Sequence, residues 1–295
     1  MPRHLHPSLI ALSTVISAIL LVACGSGASA APAGPTTDRF DADRAFAELR
    51  AQVEMGPRPA GSAASRRLAA RLRAELPRGR YEGVPGGLRN VTGRLPGSGQ
   101  PILVAAHYDT KDMPGFVGAN DGAGGTAMVV QLSRDLAKGQ RACQRQVRFV
   151  LFDGEEEPPG SSDFLTDGLR GSRVHAARHA SELRAMVLVD FVADRSLRIP
   201  RESSSDAGLW SQLRAAARQV GTGATFPDTT GPLIFDDHTP FEQAGVPSID
   251  LIDWDYPWFH SRADTLDKVS AASLDAVGET LIPFIDRLRN ETCAP

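Results

Sequence analysis

Three runs of sequence decide the fold of this chain: PILVAAHYDTK at 101–111, GFVGANDGAGG at 115–125 and VRFVLFDGEEE at 147–157. Two of them contain apolar segments, 102–106 and 147–152, that have the length and composition of buried strands. Each segment is followed at once by acids or a histidine. Functional groups in open α/β sheets gather outside the carboxyl ends of such strands, so we expect one crevice at this edge.

Strand and helix patterns alternate through the rest of the chain. Further strands are predicted at 90–95, 186–192 and 246–252. Apolar residues at helical spacing predict the longer helices at 40–53, 63–75, 126–136, 207–220 and 270–288. The alternation predicts an α/β fold, a three-layer α/β/α sandwich with a mixed, mostly parallel central sheet. The turn sequence at 96–99 predicts that 90–95 and 102–106 pair directly as a hairpin.

The composition is that of an ordinary globular protein. The 295 residues are 42% apolar and 23% charged, and the formal net charge is −3. A chain with this weak negative charge has no basic field for nucleic acid, so we expect no nucleic-acid partner. No shift in composition marks a second boundary after residue 40, and residues 40–295 are predicted to form a single domain.

The N-terminal segment is predicted to be a targeting signal outside this domain. An apolar run at 9–23 is short for a membrane span and ends in LVAC at 21–24. This ending resembles a bacterial lipoprotein signal, which implies a signal peptide at 1–23 and a lipid on Cys24. The protein would then lie in the cell envelope, anchored at the outer face of a membrane. The alternative is a secretory signal cleaved after Ala30, which would give a secreted protein.

Export bears on two other parts of the chain. Residues 24–39 are mostly Gly, Ala, Ser and Pro, and they are predicted to be a flexible tether. Cys143 and Cys293 would meet an oxidising compartment, where a disulfide can form. The sequence leaves open whether they pair or remain two free thiols.

Histidine and acidic residues collect at the predicted strand ends and in glycine-marked loops. They are His107, Asp109, Asp121, Glu155, Glu156, Asp190 and His260. Imidazole and carboxylate groups without thiolates suit Zn²⁺ and related ions. A catalytic zinc keeps three protein ligands and an open position for water or substrate. The pattern therefore predicts a catalytic metal site.

The adjacent acids Glu155 and Glu156 have a specific use in such a site. Neighbouring residues on an extended segment point to opposite sides. After a turn, one carboxylate can therefore bind metal while the other faces the open position and acts as a general base. The residue pattern alone leaves open which of the two takes each role.

An ordered set of motifs links the chain to a known family. The motifs are His107-Tyr108-Asp109, Asn120-Asp121-Gly122-Ala123, Asp153-Gly154-Glu155-Glu156, Asp237-His238 and His260. They resemble the zinc metallopeptidase family that contains bacterial aminopeptidases and the animal glutaminyl cyclases. The resemblance covers nearly all of the chain from residue 40. It implies five metal ligands, which are His107, Asp121, Glu156, Asp190 and His260.

The same resemblance assigns roles to the neighbouring residues. It implies that Glu155 is the general base and that Asp109 orients His107. It implies two zinc ions bridged by Asp121 if the chain is aminopeptidase-like, and one zinc ion if it is cyclase-like. His238 is expected to join a hydrogen-bond network without binding metal.

The doubled aspartate before His238 resembles the cyclase branch, because aminopeptidases of the family tend to carry a single acid there. The resemblance gives Asp236 a catalytic role in a network with Glu155 and Asp190, and it places Trp258 in the substrate pocket. Three departures concern that pocket. The tryptophan that the cyclases carry soon after the paired acids is missing from 157–164. Phe259 separates Trp258 from the metal-binding histidine, and Asp250 stands where the cyclases carry a histidine.

The resemblance implies a zinc-dependent enzyme that acts on the N-termini of peptides or proteins. The first expectation is a glutaminyl-peptide cyclotransferase, which forms N-terminal pyroglutamate and releases ammonia. The second is an aminopeptidase that hydrolyses the first peptide bond. The third is a non-catalytic binding module, which the intact general base and ligand set disfavour.

His175 and His179 form a separate pattern. They are four residues apart on a predicted helix, a spacing that a zinc ion could use. Arg173 and Arg178 lie beside them. These arginines favour a solvent-facing surface, and we expect no metal there.

Overall fold

The computed structural model describes residues 34–161 and 163–293, and a six-stranded sheet lies at its centre. The strands are β1 (Arg80–Val84), β2 (Leu88–Leu95), β3 (Ser98–His107), β4 (Arg145–Phe152), β5 (Ala185–Asp190) and β6 (Ser248–Ile252). Their order across the sheet is β1-β2-β4-β3-β5-β6. The four strands from β4 to β6 are parallel, whereas β1 and β2 run antiparallel to their neighbours. The predicted mixed, mostly parallel sheet is confirmed.

The predicted hairpin between 90–95 and 102–106 is wrong. β4 lies between β2 and β3, and it pairs with β2 antiparallel and with β3 parallel. The antiparallel partner on the other side of β2 is β1, a strand that the sequence patterns did not predict. β3 therefore becomes an inner strand, which suits its fully buried residues from Ile102 onward.

Helices cover both faces of the sheet. They are α1 (Ala42–Val53), α2 (Ala63–Glu75), α3 (Ala123–Lys138), α4 (Phe164–Asp167), α5 (Arg170–His179), α6 (Ala207–Gln219), α7 (Thr239–Gln243) and α8 (Ala271–Asn290). Side chains cap several of them. Asp41 accepts a hydrogen bond from the N–H of Arg44 at α1, and Ser62 accepts one from the N–H of Ser65 at α2.

Side chains that alternate in direction along the strands contribute to two separate apolar cores, one on each face of the sheet. On β3, Ile102 and Val104 face the larger core, which they share with α1, α2, α3, α6 and α8. Leu103 and Ala105 face the smaller core, which is completed by α5 and α7 through residues such as Ala176 and Phe241. Successive residues of a strand point to opposite faces, so one inner strand serves both cores. The three-layer prediction is confirmed.

The predicted signal peptide at 1–23 and the predicted lipid site at Cys24 lie outside the described residues. The described end of the predicted tether contacts the domain. The N–H of Thr36 donates to the carbonyl of Val220 at 2.8 Å, and the N–H of Arg39 donates to the carboxylate of Glu279. None of the helices formed by the described residues is long and apolar enough to cross a membrane.

Cys143 and Cys293 form a disulfide, which settles the alternative that the sequence left open. It joins the segment before β4 to the end of α8 across 150 residues of chain, with the two Cα atoms 4.9 Å apart. A closed loop of this length removes much conformational entropy from the unfolded chain.

We expect Cys293→Ser to lower the free energy of unfolding by about 3–5 kcal/mol, because the open unfolded chain regains that entropy. Denaturant unfolding of the oxidised protein measures the loss. Wild type treated with a reductant is the control and should show the same loss. Equal stability of the variant and the oxidised wild type would contradict the prediction.

Candidate metal centre

The carboxyl ends of the parallel strands bring the predicted ligands together. His107 is the last residue of β3 and Asp190 is the last residue of β5. Glu155 and Glu156 follow β4 after a two-residue turn. Because these strands are parallel neighbours, their ends meet at one edge of the sheet, as expected for an open α/β fold.

The five predicted ligands form two groups that share Asp121, and we call the five together the metal centre. In the first group, Nε2 of His107 lies 3.3 Å from Oδ1 of Asp121 and 3.4 Å from Oδ1 of Asp190. In the second group, Nε2 of His260 lies 3.5 Å from Oδ2 of Asp121 and 3.3 Å from Oε1 of Glu156. Ligand atoms around a tetrahedral zinc lie roughly 3.3 Å apart, so each group has the spacing of zinc ligands.

Several atoms of the metal centre lack a hydrogen bond, which supports metal binding. Both ring nitrogens of His107, Oδ2 of Asp121 and Oε1 of Glu156 are buried without a hydrogen-bond partner in the described part of the chain. Burying polar atoms without partners is costly. A cation bound between these atoms would satisfy them, and the imidazole and carboxylate donors suit Zn²⁺.

The loop that carries Asp121 is held in place by hydrogen bonds from its backbone to Asp264. Asp264 accepts hydrogen bonds from the N–H of Asn120 at 2.9 Å and from the N–H of Asp121 at 3.1 Å. Gly122 follows with a φ of +87°, and a Cβ there would lie 2.7 Å from the carbonyl oxygen of Asp109. Glycine is therefore required for the tight turn that presents Asp121 to both ligand groups.

Asp109 holds the turn after β4, and this differs from its expected role of orienting His107. Its carboxylate accepts hydrogen bonds from the N–H groups of Gly154 at 2.9 Å, Glu155 at 3.2 Å and Glu156 at 3.3 Å. Its distance to Nδ1 of His107 is 3.9 Å, which is too long for a hydrogen bond. Asp109 therefore fixes the two adjacent acids, because three successive backbone amides point at one buried carboxylate.

Glu155 belongs to neither ligand group and lines the cavity beside them. Burial raises its pKa well above that of an ordinary carboxyl, and the charges of Glu156 and Asp236 add to the rise. Its Oε2 lies 3.8 Å from Nδ1 of His107. A buried carboxylate next to metal ligands, with a raised pKa, has the properties of a general base that works near neutral pH.

Asp236 and Asp237 are buried next to the metal centre. Oδ2 of Asp236 and both carboxylate oxygens of Asp237 have no hydrogen-bond partner among residues 34–161 and 163–293. Burial raises the pKa of both groups. Burial also raises the pKa of Asp190 to about 7, and the charge of Asp236 adds to this. Asp236 is therefore close enough to influence both Asp190 and Glu155.

His238 lies in the network behind these acids. It is fully buried, its Nδ1 is 3.6 Å from Oδ2 of Asp250, and its Nε2 is 3.3 Å from Oγ of Ser204 and 3.6 Å from Oε2 of Glu202. His238 is absent from both ligand groups of the metal centre as the described residues form them. Its ring nitrogens face Asp250, Ser204 and Glu202, and its place in a hydrogen-bond network stays a prediction.

A cavity of about 270 Å³ opens over the metal centre and is lined by Asp121, Glu155, Asp190, Asp236 and His260 on its polar side. Its apolar lining includes Phe191, Ile234, Phe235, Ile252, Trp254 and Phe259. A small apolar pocket with a few convergent polar groups is typical of a site for a small ligand or a single side chain.

Trp258 was expected in this pocket, and the structure corrects that expectation. Trp258 lies within the described residues but does not line the cavity, and its ring faces Nζ of Lys268 at 4.7 Å. Trp254 and Phe259 line the cavity instead, with ring centroids 5.0 Å apart. The ring of Phe259 stacks on the ring of His260, with centroids 3.8 Å apart, so Phe259 makes the aromatic contact with this histidine.

Three residues that support the site were not singled out from the sequence. Asp264 anchors the Asp121 loop, as described above. Nζ of Lys111 lies 3.2 Å from Oε2 of Glu156, so a cation contacts a metal ligand. Arg58 is fully buried and donates to the carbonyls of Val117 and Gly118, just before the Asp121 loop. Of the three, Lys111 alone lies in a quoted run, 101–111, although no role was assigned to it, and the other two have no local signal.

A model of peptidase family M28 matches residues 90–285, about two thirds of the chain. The matched segment contains every residue of the metal centre, together with Glu155, Asp236 and His238. The match therefore covers the sheet edge at which the site is built.

Relatives of this chain carry two kinds of name. This chain is 26% identical to aminopeptidase YwaD of Bacillus subtilis over 184 residues, which are 60% of this chain and 39% of that protein. A solved glutaminyl cyclase from an Acidobacteriales bacterium is 30% identical, with a TM-score of 0.75, over 88% of this chain and 98% of that one. A Zn-dependent exopeptidase from Parabacteroides distasonis is 25% identical, with a TM-score of 0.74, over 85% and 99% of the two chains. This chain thus spans about two fifths of the aminopeptidase but nearly all of the two solved structures.

Proposed function

The chain belongs to peptidase family M28, and we propose that it is a zinc-dependent glutaminyl-peptide cyclotransferase. Its substrate is a peptide or protein with an N-terminal glutamine, and its products are N-terminal pyroglutamate and ammonia. The observation that carries this proposal is Asp236, a buried acid that lines the same cavity as Glu155 and Asp190. Burial raises the pKa of Glu155 and of Asp190, and the charge of Asp236 adds to the rise. Similarity to a solved bacterial glutaminyl cyclase over 88% of the chain supports it.

Zinc fits the metal centre for two reasons. The donor atoms are imidazole nitrogens and carboxylate oxygens, and several of them have no hydrogen-bond partner among the described residues. A single ion, as expected for a cyclase, would be held within the five ligands around the shared Asp121. With two ions, His107, Asp121 and Asp190 would hold one, and Asp121, Glu156 and His260 would hold the other. When bound there, zinc would supply a positive charge able to polarise the side-chain amide of the substrate. Lys111 keeps Glu156 in place by its contact at 3.2 Å.

Glu155 transfers the proton in this reaction. The α-amine of the N-terminal glutamine attacks the side-chain amide carbon, so that a ring C–N bond forms and the C–N bond to the leaving nitrogen breaks. Glu155 takes a proton from the amine and gives one to that nitrogen, which leaves as ammonia. Its raised pKa suits both steps, because a proton shuttle must bind and release the proton near neutral pH.

The cavity restricts what can reach Glu155. Its volume of about 270 Å³ suits one side chain and the start of a peptide. Trp254, Phe235 and Phe259 line it and are each about half exposed, so they can contact the substrate at its mouth. Such aromatic surfaces bind the apolar parts of a peptide without requiring a particular charge.

A second candidate function is aminopeptidase activity, and the complete set of five ligands favours it. Asp121 is shared between two groups of three, the arrangement expected for two metal ions. In that reaction water would attack the carbonyl carbon of the N-terminal peptide bond while Glu155 takes a proton from the water. The C–N bond would then break, and Glu155 would give the proton to the departing amine. The similarity to aminopeptidase YwaD and to a Zn-dependent exopeptidase is in line with this alternative.

A paired assay on the zinc-loaded protein separates the two functions. One sample receives a dipeptide that begins with glutamine, and ammonia release and product mass are measured. The other receives a chromogenic leucine amide, and free leucine is measured. We expect ammonia release with the loss of one ammonia from the peptide mass. Leucine release without ammonia would instead establish the aminopeptidase.

Asp236→Asn tests the observation behind the proposal. The variant keeps the side-chain shape but removes the charge next to Glu155, so we expect cyclisation to fall about 10- to 100-fold with zinc content unchanged. Asp228→Asn is a suitable control, because Asp228 is exposed and pairs with Arg214 away from the cavity. Cyclisation at the wild-type rate in Asp236→Asn would remove the argument for the cyclase.

A further inference from the structure

A second cavity, of about 260 Å³, lies on the sheet face that carries the smaller apolar core. The described residues that line it are all different from those that line the cavity over the metal centre. Four arginines are among them: Arg78, Arg80, Arg94 and Arg148. We call this space the arginine cavity. Its positive charge is opposite in sign to the net charge of the chain, which is −3.

Three of these arginines project from the same face of three adjacent strands. Arg94 on β2 lies directly opposite Arg148 on β4, and Arg80 on β1 lies opposite Thr92 on β2. Opposite residues of antiparallel strands point to the same side of the sheet, and residues two apart on one strand share that side. The pairing of the strands therefore brings the three guanidinium groups to one cavity.

Most of this positive charge has no acidic partner. Like charges directly opposite each other destabilise a sheet, and Arg94 stands opposite Arg148. Arg148 forms an ion pair with Glu182. The ion pairs that arginines form within residues 34–161 and 163–293 include none made by Arg78, Arg80 or Arg94. An anion bound between these side chains would offset the repulsion.

Glu82 is the one acid among the described residues that line the arginine cavity, and groups on α5 already bind it. Its Oε2 lies 2.9 Å from Nδ1 of His175, and its Oε1 lies 3.2 Å from Nε2 of His179 and 3.4 Å from Arg178. The sequence pattern favoured a solvent-facing surface for the two histidines, but the side chain of His175 is only 4% exposed, which corrects that expectation. Because α5 takes up the charge of Glu82, this acid does not neutralise the arginines of the strands.

The lining has the donors that an oxyanion with several oxygens requires. Guanidinium groups present N–H pairs whose geometry matches phosphate oxygens, and they stay charged at every ordinary pH. Thr92 and Gln146 add a hydroxyl and an amide donor to the lining. A phosphoryl group carries a charge of about −1.5 to −2 at pH 7 and three acceptor oxygens, so it matches several arginines better than a carboxylate does.

We propose that the arginine cavity binds a phosphoryl group, either as free phosphate or as the headgroup of an anionic phospholipid. Arg80, Arg94 and Arg148 hold its oxygens from three strands. The bound group links the edge strand β1, which has β2 as its one neighbour in the sheet, to the inner strand β4. This binding is independent of the metal centre and of the reaction proposed for it.

The test is a calorimetric titration of the full zinc-loaded protein with inorganic phosphate in a chloride buffer. Wild type is compared with the double variant Arg80→Gln/Arg94→Gln and with Arg218→Gln, whose site is exposed on α6 and outside the arginine cavity. None of these changes touches the metal centre, so phosphate bound there cancels in the comparison. We expect the double variant to lose at least about 10-fold in affinity at one site per chain, and Arg218→Gln to match wild type. Added phosphate should also raise the melting temperature less in the double variant.

Sedimentation of the same proteins with vesicles identifies the source of the phosphoryl group. If wild type binds phosphatidylglycerol vesicles more than phosphatidylcholine vesicles and the double variant loses this difference, the group is a lipid headgroup. Phosphate binding without that difference assigns the site to the free anion. Equal phosphate binding and equal vesicle binding in wild type and the double variant would overturn the proposal, as would the same losses in Arg218→Gln. The single variants Arg80→Gln and Arg94→Gln replace the double variant if it does not fold, and each should show a smaller loss.

Discussion

Glu155→Gln is expected to lower kcat by about 10²- to 10⁴-fold while the zinc content stays at the wild-type value. Glu155 is outside both ligand groups, so its carboxylate is not needed to hold an ion. It does line the cavity, and the charges of Glu156 and Asp236 help to raise its pKa. Glutamine fills the same volume but cannot take up a proton from the attacking group.

The measurement combines turnover with elemental analysis of the same sample. Glu157→Gln is the matched control, because Glu157 also lines the cavity but its carboxylate contacts Lys111 at 2.6 Å. We expect that control to retain most of its activity. The prediction holds for cyclisation and for peptide hydrolysis alike, since both reactions need a proton to move. Near-normal turnover in Glu155→Gln would show that another group is the base.

The sequence predicted which histidine and acidic residues come together at the sheet edge, because its evidence is local. His107 and Asp190 directly end apolar runs, and the Glu155–Glu156 pair follows another such run. In a parallel sheet the ends of neighbouring strands meet at one edge, whatever the order of the strands. The wrong hairpin between β2 and β3 therefore left the predicted ligand set unaffected, although it changed which strands are neighbours.

Strand order itself depends on contacts between distant segments. β2 and β3 are adjacent in sequence and joined by a turn, which favours a hairpin. In the structure, β4 pairs with both of them from more than 40 residues away. An inner position lets β3 bury both of its faces. The stabilisation from this burial depends on contacts with distant strands, which a turn motif does not indicate.

The direction of side chains in loops is the other feature that the sequence did not predict. Trp258 and Trp254 lie in the same loop and carry the same ring, but Trp254 alone lines the cavity. His260, in the same loop, has a φ of +45°. A residue in that conformation redirects the chain in a way that sequence spacing does not reveal.

Asp121→Asn is expected to lower the affinity for zinc at the metal centre by more than about 100-fold, and to abolish turnover at ordinary zinc concentrations. Asp121 is the one residue shared by both ligand groups, with Oδ1 near His107 and Oδ2 near His260. Asparagine is neutral and would place an NH₂ group where one of these oxygens binds. Both groups therefore lose charge, and one of them also loses a ligand atom.

Zinc content is measured by elemental analysis of Asp121→Asn and wild type after free zinc is removed. Asp264→Asn is a graded control, because Asp264 acts on Asp121 only by accepting the backbone N–H groups of Asn120 and Asp121. We expect it to weaken zinc binding about 10- to 100-fold, less than the loss of the ligand itself. If Asp121→Asn keeps the wild-type zinc content, Asp121 cannot be the shared ligand. The ions would then be held by His107 with Asp190 and by His260 with Glu156 as independent pairs.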